Sequence, residues 1–231
     1  KGSYAVDPQK GAVVMTLTTQ GDAPIHYTLD GSEPTAASPR YTGPVEIGKS
    51  ARFRATALRE GGENASYSRE FAFSKSTGRP AVLNTKPNDS YTFEGASLLV
   101  DGYHSRPVFT SGAWLGYLDE PLDVTIDMGG EQSYRSVELE TLAEKGDWIF
   151  PPSSVTVWVS DNGTDFTEVA SVTVPEAKVG DADGIGRYRM QFPETSARYL
   201  KVVAQNAAAI PAWHPGAGSK GFLFVDEVGV E

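Results

Sequence analysis

The sequence contains no cysteine among its 231 residues, which excludes disulfide bonds, thiolate metal sites and a cysteine nucleophile. Basic residues are also few, since 20 Lys and Arg stand against 30 Asp and Glu and give a formal net charge of −10. A chain of this charge is repelled by nucleic-acid phosphates and by anionic membrane surfaces. We therefore expect no nucleic-acid partner.

Long apolar runs are missing as well. No run of about 18 apolar residues occurs, so no membrane insertion is predicted. The first residues, KGSYAVDPQKG, have neither the apolar segment nor the small-residue cleavage site of a signal peptide. Because the chain starts at Lys1 without methionine, we read it as a piece of a longer protein. We also expect it to be a monomer.

What the sequence does contain is a succession of alternating and β-branched runs, bounded by Gly, Pro, Asn and Asp. No stretch carries a sustained helical period, so the predicted fold class is all-β. Turn signals recur about every eight to twelve residues, which favours β-sandwiches. This spacing fails around residues 74–78, where Ser, Thr and Gly crowd together, and it predicts domains over residues 1–75 and 76–231.

The stretch IHYTLDGSEPT, residues 25–35, indicates a strand that ends in a tight turn. Asp30-Gly31 supplies the positive φ angles of such a turn, and Pro34 cannot continue a central strand. His26 and Asp30 would lie roughly 13 Å apart along the strand, too far to act as a catalytic pair. We interpret the stretch as a marker of the fold rather than as a reactive site.

The strings YTLDGSEPT (27–35), YTGPVEI (41–47) and FRATA (53–57) follow one another in this order. Together they resemble the small Ig-like domain that follows the catalytic barrel in bacterial chitobiases and β-hexosaminidases of glycoside hydrolase family 20. The resemblance covers most of residues 10–73 and implies a small Ig-like β-sandwich without catalytic residues. Its usual role is to pack beside an enzyme domain, which would here be a missing catalytic domain of the same protein.

A second ordered set of motifs covers about residues 85–231, and it consists of Asp101-Gly102, Trp114, IDMG (126–129), SDNGTDF (160–166), ARY (197–199) and Glu227-Val228. The set resembles the discoidin-like jelly roll, or coagulation factor five/eight type C domain, in its carbohydrate-binding family 32 form. The resemblance implies a jelly-roll β-sandwich that binds a glycan. From residue chemistry alone, Arg198 can form two parallel hydrogen bonds with the carboxylate of Asp127. Asn162-Gly163 is expected to form a hairpin turn.

Many discoidin-like domains hold a structural Ca²⁺ between the DG loop and the last strand. The resemblance implies Asp101 and Glu227 as carboxylate ligands, with Gly112 offering a carbonyl where the family tends to place Thr. Oxygen ligands from distant parts of a chain suit this ion. Arg106 in the same loop can instead pair with Asp101 and stand in for the metal. The sequence leaves both alternatives open: a calcium ion bound to Asp101, or Arg106 paired with it.

A sugar site should be aromatic and carried by loops, because a ring stacks on the apolar face of a pyranose while fixed polar groups contact its hydroxyls. The sequence offers three such loops: EKGDWIFPPSS with Trp148 and Phe150, NAAAIPAWHPGAGSKG with Trp213 and His214, and DGYHSR with Tyr103, His104 and Arg106. In the alternative reading these aromatic residues belong to the core. Trp148 then plugs one mouth of the sandwich, and Trp213 folds beneath its glycine-rich loop.

Signatures of catalysis are lacking. No HExxH or GxSxG run occurs, and the doublets Asp119-Glu120 and Asp226-Glu227 stand outside the glycine-rich context of the family 20 acid pair. We expect this piece not to be an enzyme. The resemblances imply an accessory region of a secreted, periplasmic or cell-surface bacterial glycosidase of the β-N-acetylhexosaminidase type, which tethers the enzyme to a glycan or polysaccharide. In the alternative, both domains pack on the missing barrel and stabilise it, with no sugar site of their own.

Overall fold

The structure is a computed structural model that describes residues 1–59 and 61–231. These residues form thirteen β-strands and four short 3-10 turns, which confirms the all-β class. The longest of these turns, Gly95–Leu99, has five residues, so no helix in the described part of the chain has the length needed to cross a membrane.

The first unit is a sandwich of two three-stranded antiparallel sheets, with strand orders β1-β2-β4 and β3-β5-β6. Alternate residues of these strands point inward, and Val13, Met15, Phe53 and Phe71 are fully buried between the sheets. The strands are β1 (Gly2–Asp7), β2 (Ala12–Leu17), β3 (Ile25–Thr28), β4 (Val45–Ile47), β5 (Ala51–Ala57) and β6 (Ala65–Phe71).

The turn after β3 is built as its sequence predicts. Gly31 has a φ of 85°, and the backbone N–H and the hydroxyl of Ser32 donate to Asp30 Oδ1 at 2.9 and 2.6 Å. His26 is buried, with Nδ1 2.8 Å from the carbonyl oxygen of Ser38. Asp30 and His26 therefore serve the local fold.

The second unit contains seven strands in the order β11-β10-β12-β9-β13-β8, with β7 paired to β9. Its core lies between two layers and consists mainly of Leu, Val and Ile side chains. The strands are β7 (Ala81–Leu83), β8 (Leu115–Tyr117), β9 (Leu122–Ala143), β10 (Ser154–Ser160), β11 (Thr167–Thr173), β12 (Gly184–Gln205) and β13 (Leu223–Val230).

Strands β9 and β12 each have 22 residues, whereas the sequence predicts two shorter strands in each place. The two strands stay paired on both sides of the predicted break. The register of β12 against β9 shifts between Gln191 and Thr195, and Gly129 of β9 has a φ of 79°. One half of the pair is bordered by β7 and β10, and the other half by β13. The two long strands thus contribute to both layers of the sandwich.

Two local predictions for this unit are confirmed. Arg198 donates from Nε and from a terminal nitrogen to the two oxygens of Asp127, at 2.9 and 2.8 Å. Gly163 has a φ of 76° in the turn that joins the antiparallel strands β10 and β11.

The predicted boundary segment at residues 74–78 is packed rather than exposed. Ser76 and Thr77 are 0% and 4% exposed, and the Ser76 hydroxyl donates to the Val228 carbonyl. The Gly78 N–H donates to the Val100 carbonyl at 2.8 Å. The division at residue 75 stays a prediction, and this segment joins the two units through buried contacts.

Candidate functional site

Two of the three candidate loops come together at one end of the second unit, where residues 144–153 pair with residues 206–222. Phe222 N–H donates to the Trp148 carbonyl at 2.8 Å, and Phe150 N–H donates to the Phe222 carbonyl at 2.9 Å. We call the aromatic group on these loops the rim: Trp148, Phe150, Trp213 and His214. The indoles of Trp148 and Trp213 are 42% and 39% exposed.

His214 fastens the two loops together. Its Nε2 lies 2.9 Å from the Lys145 carbonyl, and its Nδ1 lies 3.0 Å from the Gly216 N–H. Because a carbonyl only accepts and an N–H only donates, the ring proton belongs on Nε2. Both ring nitrogens of His214 are thus used by the scaffold, and its contact with a sugar stays a prediction.

Trp148 is held in a strained backbone conformation. Its φ of 63° lies in the left-handed region, which costs a non-glycine residue roughly 1–2 kcal/mol. The indole meets the His214 ring edge to face at 6.1 Å. Gly216 packs against it so closely that a Cβ there would lie 2.9 Å from Trp148 Cζ2. These contacts hold the ring at the surface despite the strain.

Trp213 is fixed by a loop that the sequence did not single out. Its Nε1–H donates to the Ala177 carbonyl at 2.9 Å, so residues 174–177 form a wall beside it. Residues 174–177 also line a cleft of about 340 Å³ with a mostly apolar lining and one carboxylate, from Glu176. Its walls include Phe150, Pro152, Val174, Pro175 and Ile210. The rim thus combines two half-exposed indoles with an apolar hollow.

The alternative reading, in which these aromatic residues belong to the core, holds for the neighbours of Trp148. Ile149 and Phe150 are 1% and 2% exposed and close this end of the sandwich. Other polar residues of the two loops serve the scaffold: Lys145 pairs with Asp183, and the Asn206 side-chain amide donates to the Tyr117 carbonyl at 3.0 Å. Of the four rim residues, the two indoles are the ones that stay exposed to solvent.

The third candidate loop lies apart from the rim. The ring of Tyr103 is covered by the Arg69 guanidinium, whose central carbon lies 3.9 Å from the ring centroid. His104 Nδ1 lies 3.1 Å from Glu140 Oε2, and this hydrogen bond raises the pKa of His104. Arg106 is exposed, and its carbonyl accepts from Trp114 Nε1 at 3.0 Å. Within the described residues, no hydrogen bond or ring contact joins Tyr103, His104 or Arg106 to the rim.

The proposed calcium ligands lie together but are already engaged. Glu227 Oε2 accepts from the Gly102 N–H at 3.2 Å. Asp101 Oδ1 accepts from the Tyr103 N–H at 2.7 Å, and Asp101 Oδ2 accepts from the Tyr4 hydroxyl at 2.9 Å. Gly112 lines the same cleft as Asp101. Each Asp101 oxygen thus already accepts a hydrogen bond from the chain, whereas Glu227 Oε1 has no partner among the described residues.

The described residues also contain no group of three His, Cys, Asp or Glu arranged to hold a metal ion. The expected pairing of Arg106 with Asp101 is wrong as well. Arg69, on β6 of the first unit, lies near the DG loop, and its positive charge acts to lower the pKa of Asp101.

Burial shapes the protonation of the carboxylates around this loop. Desolvation raises the pKa of Asp101 to about 7 and that of Asp226 to about 9, and it raises the pKa of Glu227 well above its usual range. Glu140 is 2% exposed and accepts from Arg187 at 2.8 Å. One oxygen each of Asp226, Glu227 and Glu140 has no hydrogen-bond partner in the described part of the chain. Burial therefore favours the neutral form of Asp226, and it acts in the same direction on Glu227.

Comparison with known families agrees with both motif sets. The family model of the F5/8 type C domain matches residues 84–220, which is more than half of the chain. The chain therefore belongs to the F5/8 type C family. A second model, the chitobiase/beta-hexosaminidase C-terminal domain, matches residues 5–69. Both family resemblances predicted from the sequence are thus confirmed.

The chain is also similar to solved structures of sugar-binding modules. Chitosan-binding module 1 of a chitosanase/glucanase from Paenibacillus sp. IK-5 is 18% identical, with coverage of 68% of this chain and 98% of that chain at a TM-score of 0.45. CpGH89CBM32-5 from Clostridium perfringens, in complex with GalNAc-beta-1,3-galactose, is 16% identical, with coverage of 65% and 93% at a TM-score of 0.44. No curated protein matches the chain significantly. The family models therefore carry the assignment.

Proposed function

We propose that the rim binds a glycan and that the chain is a non-catalytic accessory region of a secreted glycosidase. The observation that supports this most directly is the pair of indoles, Trp148 and Trp213, at 42% and 39% exposure, next to an apolar hollow that Phe150 of the rim lines. Large aromatic side chains left half exposed on rigid loops of one end mark an interaction site.

The chemistry of the rim suits a pyranose ring. The weakly hydrated C–H face of a sugar stacks on an indole, and the apolar hollow can take a substituent of the ring. With Trp213 tied to the Ala177 carbonyl and Trp148 held by Gly216, the two rings lose little freedom on binding. A free module should still bind weakly, with dissociation constants of about 0.1 to 1 mM, or about 4 to 5.5 kcal/mol.

In the parent protein, this weak binding would act by tethering. A module linked to a catalytic domain raises the local concentration of enzyme at a polysaccharide or host glycan, without contributing chemistry. The match of the first unit to the chitobiase/beta-hexosaminidase family supports a β-N-acetylhexosaminidase as the parent. A secreted, periplasmic or cell-surface location follows from such a substrate and belongs to the same proposal.

Substitution of Trp213 by alanine tests the proposal on a glycan array with the full chain. We expect retention to fall by at least about tenfold, which corresponds to about 1.4 kcal/mol, while the melting temperature stays within about 2 °C. Trp158→Ala on β10 is the matched control, because it removes the same side chain from a strand away from the rim. Retention should survive in that variant.

Two results would count against the proposal. A large fall in melting temperature for Trp213→Ala, with no array signal from the unmodified chain, would favour the alternative in which both units only pack on a catalytic barrel. Turnover of a chromogenic N-acetylglucosaminide by the purified chain would show instead that the region is catalytic.

A further inference from the structure

The DG loop of the second unit is built into the first unit. The Ala72 N–H, just after β6, donates to the Gly102 carbonyl at 2.7 Å. The Tyr103 ring meets the Tyr4 ring of β1 edge to face at 6.0 Å and packs against the core of the first unit. Gly102 has a φ of 69°, and a Cβ added to it would lie 3.0 Å from Thr77 Cγ2. The loop therefore takes its shape from contacts with the first unit.

Asp101 needs such contacts, because it is 2% exposed. A carboxylate that is buried without partners costs several kcal/mol, so it must be paired, be protonated or bind an ion. Here the Tyr103 N–H and the Tyr4 hydroxyl satisfy one oxygen each. A calcium ion at this place would have to share one or both of these oxygens with the two donors.

Arg69 supplies the positive charge. Its guanidinium carbon lies 3.9 Å from the centroid of the Tyr103 ring and 5.0 Å from that of the Tyr4 ring, so the group sits against both aromatic neighbours of Asp101. The Arg69 Nε donates to the Tyr67 hydroxyl at 3.1 Å, which fixes the orientation of the guanidinium. Its charge favours the ionised form of Asp101.

We propose that Tyr4 and Arg69 of the first unit replace a metal ion at Asp101, so that the DG loop is fixed by a neighbouring domain instead of by calcium. The Tyr4 hydroxyl donates a hydrogen bond to Asp101 where an ion would coordinate it, and the Arg69 guanidinium supplies the positive charge. The second ligand expected for calcium, Glu227, is held by the Gly102 N–H of the same loop. Consequently the second unit is stable without calcium and depends on the first unit for its stability.

The first test measures the thermal unfolding of the full chain in excess calcium chloride and in excess EDTA. Because no ion is needed, we expect one transition whose midpoint differs by less than about 1 °C between the two conditions. A midpoint several degrees higher in calcium would overturn the proposal, since only an ion bound to the folded state raises it in this way.

The second test is a double-mutant cycle on the full chain, with Tyr4→Phe and Asp101→Asn. Tyr4→Phe should lower the melting temperature by about 2–4 °C. The double variant should fall by clearly less than the sum of the single variants, because the two changes remove one shared interaction. If Asp101→Asn does not fold, Arg69→Gln takes its place in the cycle with Tyr4→Phe.

Tyr41→Phe is the matched control for this cycle. The Tyr41 hydroxyl accepts from the Leu17 N–H at 3.0 Å inside the first unit, away from Asp101. Its effect should therefore add to that of the partner substitution. Additive effects for Tyr4→Phe as well would show that its hydroxyl does not act on the DG loop, and the proposal would be wrong.

Discussion

The rim and the junction around Asp101 are both made of loops that pack closely, yet they differ in what they leave unsatisfied. At the rim, two indoles stay half exposed, and Trp148 has a left-handed backbone where it ends the 3-10 turn Lys145–Asp147. At the junction, both oxygens of Asp101 have donors and the aromatic rings are covered, although one oxygen each of the neighbouring Asp226 and Glu227 has no hydrogen-bond partner in the described part of the chain. Exposed rings on a strained support indicate a ligand, whereas a fully paired carboxylate indicates architecture.

Each region contains a glycine in very close contact with a neighbour, but the neighbour is backbone in the junction and a side chain in the rim. At Gly78 in the junction, an added Cβ would lie 2.4 Å from the backbone carbon of Gly11. At Gly216 in the rim, it would lie 2.9 Å from the end of the Trp148 ring. A backbone cannot move aside, but a side chain can turn, so the same substitution should have different consequences in the two regions.

The largest effect is expected for Gly78→Ala. The substitution forces two backbones apart and adds a side chain at a φ of 77°, so we expect the free energy of unfolding to fall by about 3–5 kcal/mol. Urea unfolding of the full chain measures it. Gly218→Ala is the control, because its φ is 83° and a Cβ there meets nothing within 4 Å. It should lose only about 1 kcal/mol, and an equal loss in both variants would contradict the close contact.

A smaller effect on stability, but a clear one on binding, is expected for Gly216→Ala. The methyl group pushes the Trp148 indole aside, so glycan affinity should fall several-fold while the free energy of unfolding changes by about 1 kcal/mol or less. Titration calorimetry with a glycan identified on the array measures the affinity. Gly146→Ala in the same pair of loops is the control, since a Cβ there meets nothing within 4 Å. Equal losses of affinity in both variants would argue against Trp148 as a contact.

Features encoded by neighbouring residues could be predicted from the sequence. The turn at Asp30-Gly31 and the hairpin at Asn162-Gly163 depend on backbone angles that these residue types favour, and the structure has both. The pairing of Arg198 with Asp127, which are 71 positions apart, is an exception among the long-range contacts, because the chemistry of the two side chains already suggested it. The alternation of apolar residues fixed the all-β class for the same reason.

Features that depend on distant partners could not be predicted. Tyr4 and Asp101 are 97 positions apart, and no local pattern links a strand of one unit to a loop of the other. His214 was a candidate sugar contact because it stands beside Trp213 in a candidate loop, but its Nε2 lies against a carbonyl 69 positions away. The wall at Ala177 carries no functional residue type at all, so only the fold places it beside Trp213.

The smallest effect is expected at the ion pair of Arg198 and Asp127, which lies outside both regions. The Arg198 side chain is 46% exposed, and exposed pairs contribute little. Arg198→Lys keeps the charge but loses the two parallel hydrogen bonds, so the melting temperature at pH 7 should fall by about 1–3 °C. Arg135→Lys, at the more exposed pair with Glu194, is the control and should change it less.

The effect of Arg198→Lys should also depend on pH. The hydrogen bonds from Arg198 lower the pKa of Asp127 below its usual value of 3.8. A carboxyl group whose pKa is lowered in the folded state stabilises the fold above its unfolded pKa, and this stabilisation is lost as the pH falls through the folded pKa. The difference in melting temperature between the unmodified chain and Arg198→Lys should therefore be full at pH 7 and shrink below about pH 4. A difference that persists at pH 2 would mean that packing of the guanidinium, rather than its bond to the ionised Asp127, carries the effect.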